Sequence, residues 1–589
     1  MTTVPSLELN ATLRQRINPT VQCPDKPRNS FVLYLPTVNL RFKHNPAFAY
    51  ACHLANHHEV PVLVLAIVLD DAHLPTSTPK NNNDNITMKR RPIVVSTARR
   101  TAFVLEALQQ ATREWQEHGA GVAIRVHGPE CRTPHHLTLV RQSVAVVVDE
   151  PFVHPFLSMV QSVESVARSC QVPVVRVDGS TTVAPVCMLR RGVDKDGNVS
   201  FDGVPSKAWV WEKKTEPKRN CQVLGVVQDG HFDAPVLVKR LKMNFFLDQS
   251  TALALKLPSY WANPETPSPG KRPWTTQELS AISDLKAWVL EWPGIDTSVP
   301  PCSQTHGSTT SGQQRWNRFR QLHLSNYAKL RNNICKPHAV SRMSCYLNYG
   351  CVSIFQIIFD LRQSRSAGAS KFADEIIKWR EIGYAHSFAY PRHYNTSEAV
   401  PQWARTYLAK FQGRVGSAYS IEQLESCSTN DDTWNAMQDY LNTTGELHNN
   451  ARMTWGKTVV HWQKYNSSVD ELLQQLIYLN DRYALDGLSP PSYAGLLWCL
   501  GWGDNPTDSL SQKPASRYRQ GPSAFADAKL TLLAFKGEKS IATMLAREQE
   551  SPAAKKRRIV TKTTEAPDDK KISILSYFQG PQSHMKSVG

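Results

Sequence analysis

The chain has 589 residues, more than one compact core usually holds, so two or three domains are expected. No apolar run reaches the roughly 18 residues that a membrane-spanning helix needs, and the longest, residues 60–69, is typical of a buried strand. The first 20 residues lack a charged start followed by an apolar stretch. We therefore expect no secretory signal and no membrane partner.

The net charge of +17 favours an anionic partner, because a basic surface attracts such molecules over long distances. Nucleic acid is the first candidate, since each phosphate contact also releases a counterion. A basic tail together with solvated lysines would give the same charge. The 12 cysteines include no CxxC pair and no Cys/His cluster with zinc spacing, so we predict reduced thiols and no metal site.

Residues 29–190 are predicted to form an α/β domain with a parallel sheet. Short apolar runs alternate there with helix-like stretches, as in a sheet covered by helices on both faces. The predicted strands are 31–35, 62–69, 122–126, 144–148 and 174–177, and the predicted helices are 47–55, 101–118 and 155–169. No GxGxxG follows the first strand, so a standard dinucleotide fingerprint is missing. Residues 1–28 show no period and are predicted to be disordered.

The next two segments differ in pattern. Residues 191–314 mix Gly, Pro and charge and are predicted to be a linker and irregular region, apart from a short helical stretch at 276–291. Residues 315–535 are predicted to be a helical domain. Apolar residues recur there with the i, i+3, i+4, i+7 spacing of a one-sided helix at Ile354, Ile357, Ile358 and Leu361. On periodicity alone this would be a helical bundle without special chemistry.

Residues 536–589 are predicted to be a disordered basic tail that carries two short motifs. A compact cluster indicates nuclear import or a phosphate contact, with a solvated charged tail as the alternative, at Lys555, Lys556, Arg557 and Arg558. One helical turn would bring Ile574, Tyr577 and Phe578 onto one face able to fill a groove. This resembles a sliding-clamp-binding motif, with Lys571 in place of the usual Gln. The tail therefore favours a nuclear protein with a sliding clamp among its partners.

Four separated motifs in the helical half carry a resemblance to a known family. They are TWNAMQ (433–438), GELHNNARMTWGK (445–457) followed by His461 and Trp462, LNDRYALDG (479–487) and YAGLLWCLG (493–501). Their order and spacing resemble the class II cyclobutane pyrimidine dimer photolyases of the photolyase/cryptochrome superfamily. A weaker match, VSRMSCYLNYG (340–350), is similar to the superfamily's TSxLSPYLxxG segment, which binds the flavin phosphates.

The resemblance implies an all-α FAD-binding domain behind an α/β antenna-type domain. It implies cofactor contacts at Tyr327, Asn332, Ser341, Met343, Ser344, Arg452, Asn480 and Asp486. Arg452 would pair with Asp486 beneath the isoalloxazine ring, since a cation favours the reduced, anionic flavin and a buried Arg needs a partner; a surface ion pair is the alternative. Asn480 would face flavin N5, where an amide can accept or donate a hydrogen bond but does not readily supply a proton. The antenna-type domain leaves open a second chromophore of unspecified identity.

Three tryptophans resemble the class II chain that carries electrons from the surface to the flavin: Trp434, Trp455 and Trp462. Trp455 and Trp462 are seven residues apart, which is two helical turns, or about 10.5 Å of rise on one face. That separation suits electron hopping. Three core aromatic residues at helical spacing are the alternative interpretation.

The resemblance also implies a lesion pocket lined by Glu381, Met453 and Trp498, with Asn480 at the flavin. A carboxyl group can hydrogen-bond pyrimidine carbonyls, and Met and Trp offer soft or flat contact to a flipped base pair. After Trp498 the chain lacks the Arg and Trp that fill the hole left in the duplex. Arg517 and Arg519 are the candidates that would join Trp498 in binding DNA.

These inferences predict a monomeric photolyase that uses blue light and reduced FAD to repair cyclobutane pyrimidine dimers in UV-damaged DNA. A cryptochrome-like photoreceptor would keep the FAD and the tryptophans but signal through its tail, and the departures on the DNA side favour it. A flavin-free helical scaffold is a third alternative. The joint presence of Arg452, Asn480 and Asp486 argues against that scaffold.

Overall fold

A computed structural model describes most of the chain with the exception of the tail and several internal segments. The described residues are 7–23, 31–69, 73–74, 93–94, 96–127, 136–193, 199–241, 274–275, 279, 282–292, 294–416, 418–503 and 521–533.

A seven-stranded sheet organises the first third of the chain. Its order is β1-β8-β7-β2-β3-β6-β11, with five parallel strands in the middle and an antiparallel strand at each edge. The strands are β1 (Ile17–Val21), β2 (Val32–Leu35), β3 (Val62–Leu69), β6 (Gly121–His127), β7 (Ala145–Asp149), β8 (Val174–Val177) and β11 (Trp274–Thr275). A second pair, β4 (His73–Leu74) and β5 (Ile93–Val94), forms a separate antiparallel ladder.

Helices pack against this sheet, so its central strands are buried on both faces. These helices are α2 (Pro46–His57), α3 (Ala98–His118) and α5 (Phe156–Cys170), while α1 (Ala11–Arg14) precedes β1 and α4 (His136–Gln142) packs against α5. The central strands could be predicted from the sequence because they are near-continuous runs of Val, Ile and Leu. A strand with helices on both faces of its sheet has no polar face. The predicted α/β fold with a mostly parallel sheet is confirmed, with strand ends within two residues of the prediction.

The prediction of a disordered N-terminus is wrong for residues 7–23. Arg16, between α1 and β1, is 0% exposed and donates hydrogen bonds to the backbone oxygens of Asp178, Thr181 and Thr182. Its guanidinium also lies over the ring of Phe355, with its carbon 4.7 Å from the ring centroid. A single buried arginine thus secures the segment that lets β1 pair with β8, a contact without any periodic signal.

The segment 191–314 is also more regular than predicted. A hairpin of β9 (Arg190–Val193) and β10 (Val199–Asp202) is followed by α6 (Ala208–Val227), a 20-residue helix. Pro217 lies inside α6, where a proline is not expected. The apolar residues of α6 are spread around the helix, so the sequence shows no helical periodicity. Of the expected helix at 276–291, the structure describes residues 279 and 282–291, which include α7 (Leu285–Trp288) and a 3₁₀ turn, Val289–Glu291.

The second half is all-helical, as predicted. Its helices are α8 (Thr309–Leu322), α9 (Tyr327–Leu330), α10 (Ser344–Asn348), α11 (Ile354–Arg362), α12 (Ala367–Asp374), α13 (Glu381–Ala389), α14 (Gln402–Ala409), α15 (Ile421–Glu425), α16 (Asp432–Thr444), α17 (Asn449–Gln463), α18 (Val469–Tyr483), α19 (Pro490–Cys499) and α20 (Pro522–Leu533). A π-helical turn, Glu375–Arg380, joins α12 to α13. Within the described ranges, no helix combines the length and apolarity needed to cross a bilayer.

Two arginines at the start of α3 fasten the α/β domain to the helical half. Arg99 is 3% exposed and donates to the backbone oxygens of Leu441 (3.3 Å), Asn442 (2.5 Å) and Tyr483 (2.6 Å). Arg100 is 6% exposed and donates to the carbonyl of Ala484 at 3.3 Å. These carbonyls stand at the carboxyl ends of α16 and α18, where helices leave acceptors unsatisfied and carry partial negative charge.

A glycine makes room for this contact. Gly445 ends α16 with a φ of 70°, and a Cβ there would lie 3.0 Å from Cδ of Arg99 and 2.7 Å from Sγ of Cys302. Both the left-handed backbone and the close approach require a residue without a side chain.

We expect Arg99→Ala to destabilise the protein by about 3 kcal/mol, because several buried carbonyls lose a charged donor at once. Urea or thermal unfolding measures the loss. Arg113→Ala, an exposed arginine on the same helix, is the matched control and should change stability little. Equal effects of the two variants would show that the contacts of Arg99 do not stabilise the domain junction.

Candidate functional site

Three of the predicted cofactor residues meet at one point. Arg452 lies on α17, Asn480 on α18 and Asp486 in the turn after α18. Nη2 of Arg452 donates to Oδ1 of Asp486 over 2.7 Å, and its Nη1 lies 3.4 Å from Oδ1 of Asn480. The Arg and Asp side chains are 10% and 16% exposed, so the ion pair is largely buried. Because the guanidinium has five N–H donors, it can bind Asp486 and still donate to a bound group.

Asn480 is held from behind by two acceptors. Its Nδ2 donates to Oδ1 of Asp481 and to Oγ of Ser492, each over 2.8 Å. Asp481 is 0% exposed and also accepts from the backbone nitrogen of Leu488 (3.0 Å) and the hydroxyl of Tyr493 (2.8 Å). Burial raises the pKa of Asp481 above its ordinary value. Sequence reasoning did not single out these supports, because motif letters do not show which group an amide faces.

The predicted phosphate-binding segment is tied to the start of α17 by one buried carboxylate. Arg342 has a φ of 54° and donates to Glu446 through Nε (2.6 Å) and Nη2 (2.9 Å). Glu446 stands three residues before α17 begins. Within the segment, Oγ of Ser341 accepts from the nitrogen of Met343 at 3.4 Å, and Ser344 opens α10. The ion pair therefore sets the spacing between this segment and the helix of Arg452.

Asn332 and Tyr327 lie in different surroundings. Oδ1 of Asn332 accepts a hydrogen bond from Nδ2 of Asn450 at the start of α17. Tyr327 packs among the rings of Phe319 and Phe372 and is 7% exposed, and burial raises its pKa to about 12. Asn332 is thus joined to the helix of Arg452, whereas the Tyr327 ring belongs to the aromatic core beside α12.

The three predicted electron-transfer tryptophans form one contiguous row, here called the tryptophan row. Trp455 and Trp434 have ring centroids 6.4 Å apart and planes within 8°, and Trp434 and Trp462 have centroids 5.3 Å apart. Trp434, from α16, therefore bridges the two-turn gap between the other two. The indole N–H of Trp455 donates to Oε1 of Gln438 over 2.8 Å, which fixes its ring. Beyond Trp462, the half-buried Tyr419 continues the row at 4.8 Å.

A second aromatic group, here called the aromatic ladder, lies near the end of α19. Its members are Trp379, Trp498, Trp502 and His386, with successive ring centroids 4.7, 4.9 and 5.0 Å apart. Trp379 is 40% exposed, whereas His386 is buried, and burial lowers the histidine pKa to about 4. The ladder thus runs from the surface into the helical domain.

One helix, α19, links the ladder to Asn480. Ser492 and Gly495 are three residues apart and are neighbours on its surface, as are Gly495 and Trp498. Ser492 accepts from Asn480, and a Cβ on Gly495 would lie 3.5 Å from the methyl of Met453. Asn480 and Met453 therefore lie beside α19 at Ser492 and Gly495, and Trp498 follows Gly495 by about one helical turn.

Glu381 is hydrogen-bonded outside this group, and its expected role in the lesion pocket stays a prediction. Its carboxylate is 1% exposed, and Oε1 accepts from the backbone nitrogen of Thr182 over 2.6 Å, at the junction with the α/β domain. Burial raises the pKa of Glu381. The carboxylate that shares the π-helical turn with Trp379 is Glu375, which pairs with Arg331 at 2.9 Å.

The predicted tail and duplex-filling residues lie outside the described residues. They are Arg517, Arg519, Lys555, Lys556, Arg557, Arg558, Ile574, Tyr577 and Phe578. Their proposed contacts with DNA, a nuclear import receptor and a sliding clamp stay predictions.

A cleft that is partly open to solvent lies at the carboxyl ends of the parallel strands. Val38 follows β2 and Pro151 follows β7, and both line it together with Val104 of α3 and Tyr384 of α13. From β2 the sheet continues through β3 and β6 on one side and through β7 and β8 on the other. The cleft therefore lies where the strand order reverses. Open α/β sheets bind ligands at such a point.

Three curated relatives share the name deoxyribodipyrimidine photo-lyase. That of Methanothermobacter thermautotrophicus is 25% identical over 477 residues, 80% of this chain and 87% of the relative. That of Potorous tridactylus is 32% identical over 238 residues, and that of Arabidopsis thaliana is 34% identical over 198 residues. The last two matches span 44% and 39% of those relatives and 38% and 32% of this chain. No protein-family model matches the chain.

Two solved structures share the fold. The cryptochrome of Synechocystis sp. PCC6803 has a TM-score of 0.53 at 13% identity, covering 86% of this chain and 88% of that one. A class III photolyase from Agrobacterium tumefaciens has a TM-score of 0.50 at 15% identity, covering 90% and 92%. The chain therefore has the photolyase/cryptochrome fold, and the named relatives support that superfamily for it.

The residues at the site fit the flavin that this superfamily generally binds. The pyrimidine edge of an isoalloxazine ring presents carbonyl acceptors and an N–H donor. Arg452 supplies donors and Asp486 supplies an acceptor within one buried cluster. Both hydrogen-bonding senses of the ring edge can therefore be met by this chain.

Proposed function

We propose that this protein is a class II-like photolyase, which uses FAD and blue light to repair cyclobutane pyrimidine dimers in DNA. The observation that carries the proposal is the position of the Arg452–Asp486–Asn480 cluster between two aromatic groups. The tryptophan row begins at Trp455, one helical turn after Arg452. On the other side, Asn480 donates to Ser492 of α19, the helix that also carries Trp498 of the aromatic ladder. The named relatives support the same activity.

The chain's own residues have three tasks in this proposal. When FAD is bound and reduced, it would supply the light-driven electron chemistry that opens the dimer. Arg452 and Asp486 hold the ring edge, and their pairing lets a cation remain buried beside it. Trp498 and Trp379 offer ring faces to the flipped bases, and Glu381 is the carboxylate predicted for the lesion pocket.

The tryptophan row has a separate task, which is to return the flavin to its reduced state. Ring centroids at 6.4 and 5.3 Å provide short steps from Trp455 to Trp462, and Tyr419 extends the route to a half-buried position. Each step stays within a packed, water-poor interior, since the three indoles are at most 6% exposed.

A photoreceptor of the cryptochrome type is the second candidate. It would use the same flavin cluster and tryptophan row, and Trp502 stands where the chain departs from the class II pattern. Dimer repair separates the two functions, because a photoreceptor needs light-driven reduction but no lesion chemistry.

The first measurement is dimer repair by the FAD-loaded, fully reduced protein. We expect blue light to remove cyclobutane dimers from DNA, with no loss in the dark, and Trp498→Ala to slow repair while FAD stays bound. Dimers are counted after illumination of damaged duplex DNA. Unchanged dimer numbers with bound, photoreducible FAD would contradict repair and favour the photoreceptor.

The tryptophan row is tested by Trp434→Phe, which keeps an aromatic ring but raises its oxidation potential. We expect the rate of flavin photoreduction to fall at least about tenfold, the effect of an added barrier of about 1.4 kcal/mol, with FAD content unchanged. Trp115→Phe is the matched control: this 0% exposed indole lies in the α/β core, and its N–H has no partner among the described residues. Equal photoreduction rates in the two variants would remove the row from the mechanism.

The cleft at the strand switch point is our candidate seat for a second, light-collecting chromophore. Val104→Trp would fill part of it. We expect this variant to lose any non-flavin absorbance that purifies with the wild-type protein while retaining FAD. Retention of that absorbance in the variant would place the chromophore elsewhere.

A further inference from the structure

The amide of Asn480 has one orientation available to it, and a neighbouring carboxylate dictates which. An asparagine amide has two N–H donors on nitrogen and only acceptor sites on oxygen. Asp481 and Ser492 receive both donors at 2.8 Å. The amide therefore turns its oxygen, and only its oxygen, toward Arg452 and the space that the cluster surrounds.

Asp481 is the group that enforces this choice. The hydroxyl of Ser492 can donate or accept, so it could hydrogen-bond to either the oxygen or the nitrogen of the amide. An Asp481 oxygen that already accepts from the nitrogen of Leu488 would repel an amide oxygen placed against it. The hydroxyl of Tyr493 occupies the other carboxylate oxygen and keeps the group from rotating.

The α/β domain contributes to the same arrangement. Arg100 donates to the backbone oxygens of Asp481 and Ala484, just past Asn480 on α18. A Cβ on Gly487 would lie 2.9 Å from Oδ1 of Asp481, so the turn after α18 closes tightly over the carboxylate. The amide of Asn480 is thus backed by a rigid, buried shell.

We infer that Asp481 is a positioning residue that makes Asn480 a pure hydrogen-bond acceptor toward the bound cofactor, so that the site discriminates between the redox states of the flavin. The inference rests on the part of the proposed function that says the protein binds FAD. It does not depend on dimer repair. Two-electron reduction by a chemical reductant adds a proton at N5 and turns that atom from an acceptor into a donor. An acceptor-only amide opposes the oxidised ring and bonds to the reduced one.

The test compares midpoint potentials of the FAD-loaded variants. In Asp481→Ala the amide can turn over, and we expect the ratio of oxidised to reduced flavin at a fixed potential to rise about tenfold, which is a fall of about 30 mV for a two-electron couple. Asp481→Asn can keep an oxygen toward Asn480 and should restore the wild-type potential. Ser492→Ala leaves Asp481 in place and should stay near wild type.

A control separates this effect from general damage to the fold. Asp149→Ala removes another carboxylate that is 0% exposed, one that accepts from the backbone nitrogens of Thr37, Val38 and Asn39 in the α/β domain. It should lower stability without moving the flavin potential. A purely structural role for Asp481 predicts lower stability and an unchanged potential in Asp481→Ala, and that result would overturn the inference.

A measurement on the wild-type protein covers the case in which Asp481→Ala does not fold. With ¹⁵N-labelled asparagine, the side-chain NH₂ signal assigned to Asn480 by its loss in Asn480→Leu should exchange slowly for both protons. This holds with and without FAD, so it stands even if FAD binding fails. Rapid exchange of either proton would contradict the double hydrogen bond and with it the inference.

Discussion

The contact between the first turn of α3 and the carboxyl ends of α16 and α18 is the constraint on which the rest of the structure depends. Helices end with unsatisfied carbonyls and a partial negative charge, and Arg99 and Arg100 bring fixed donors and positive charge to two such ends at once. One helix of the α/β domain thereby sets the position of α18, which carries Asn480 and Asp481. The sheet domain therefore helps to shape the proposed cofactor site, although neither arginine belongs to the predicted cofactor set.

The pKa values of the buried carboxylates near the site shift in different directions because the carboxylates have different neighbours. Burial alone raises the pKa of each, but Arg342 and Arg315 outweigh it at Glu446 and hold that pKa below its ordinary value. Asp481 and Glu381 receive fewer direct cationic partners, and burial keeps their pKa values raised. Glu446 is thus a fixed anion that restrains Arg342 in a left-handed conformation, a backbone state that costs free energy without such a partner.

Patterns within one element were readable from the sequence, whereas contacts between distant segments were not. The twice-covered strands and the periodic α11 carry their own signals, while β1 depends on Arg16 reaching carbonyls more than 160 residues away. The motifs located Arg452, Asn480 and Asp486 but not Asp481, whose role depends on what its carboxylate touches.

The chemistry of the aromatic ladder limits what it can contribute to DNA binding. Its innermost ring, His386, has a pKa of about 4 and is neutral near pH 7, so no cation of the ladder itself attracts phosphate there. Trp379, Trp498 and Trp502 add ring faces and indole N–H groups but no charge. The ladder is therefore suited to bases that have left the duplex, and its contribution should vary little with salt. Phosphate attraction, which falls steeply as salt rises, has to come from lysines and arginines outside it. In the proposed function, lesion contact and duplex affinity would thus be separate properties, because they depend on side chains of different kinds.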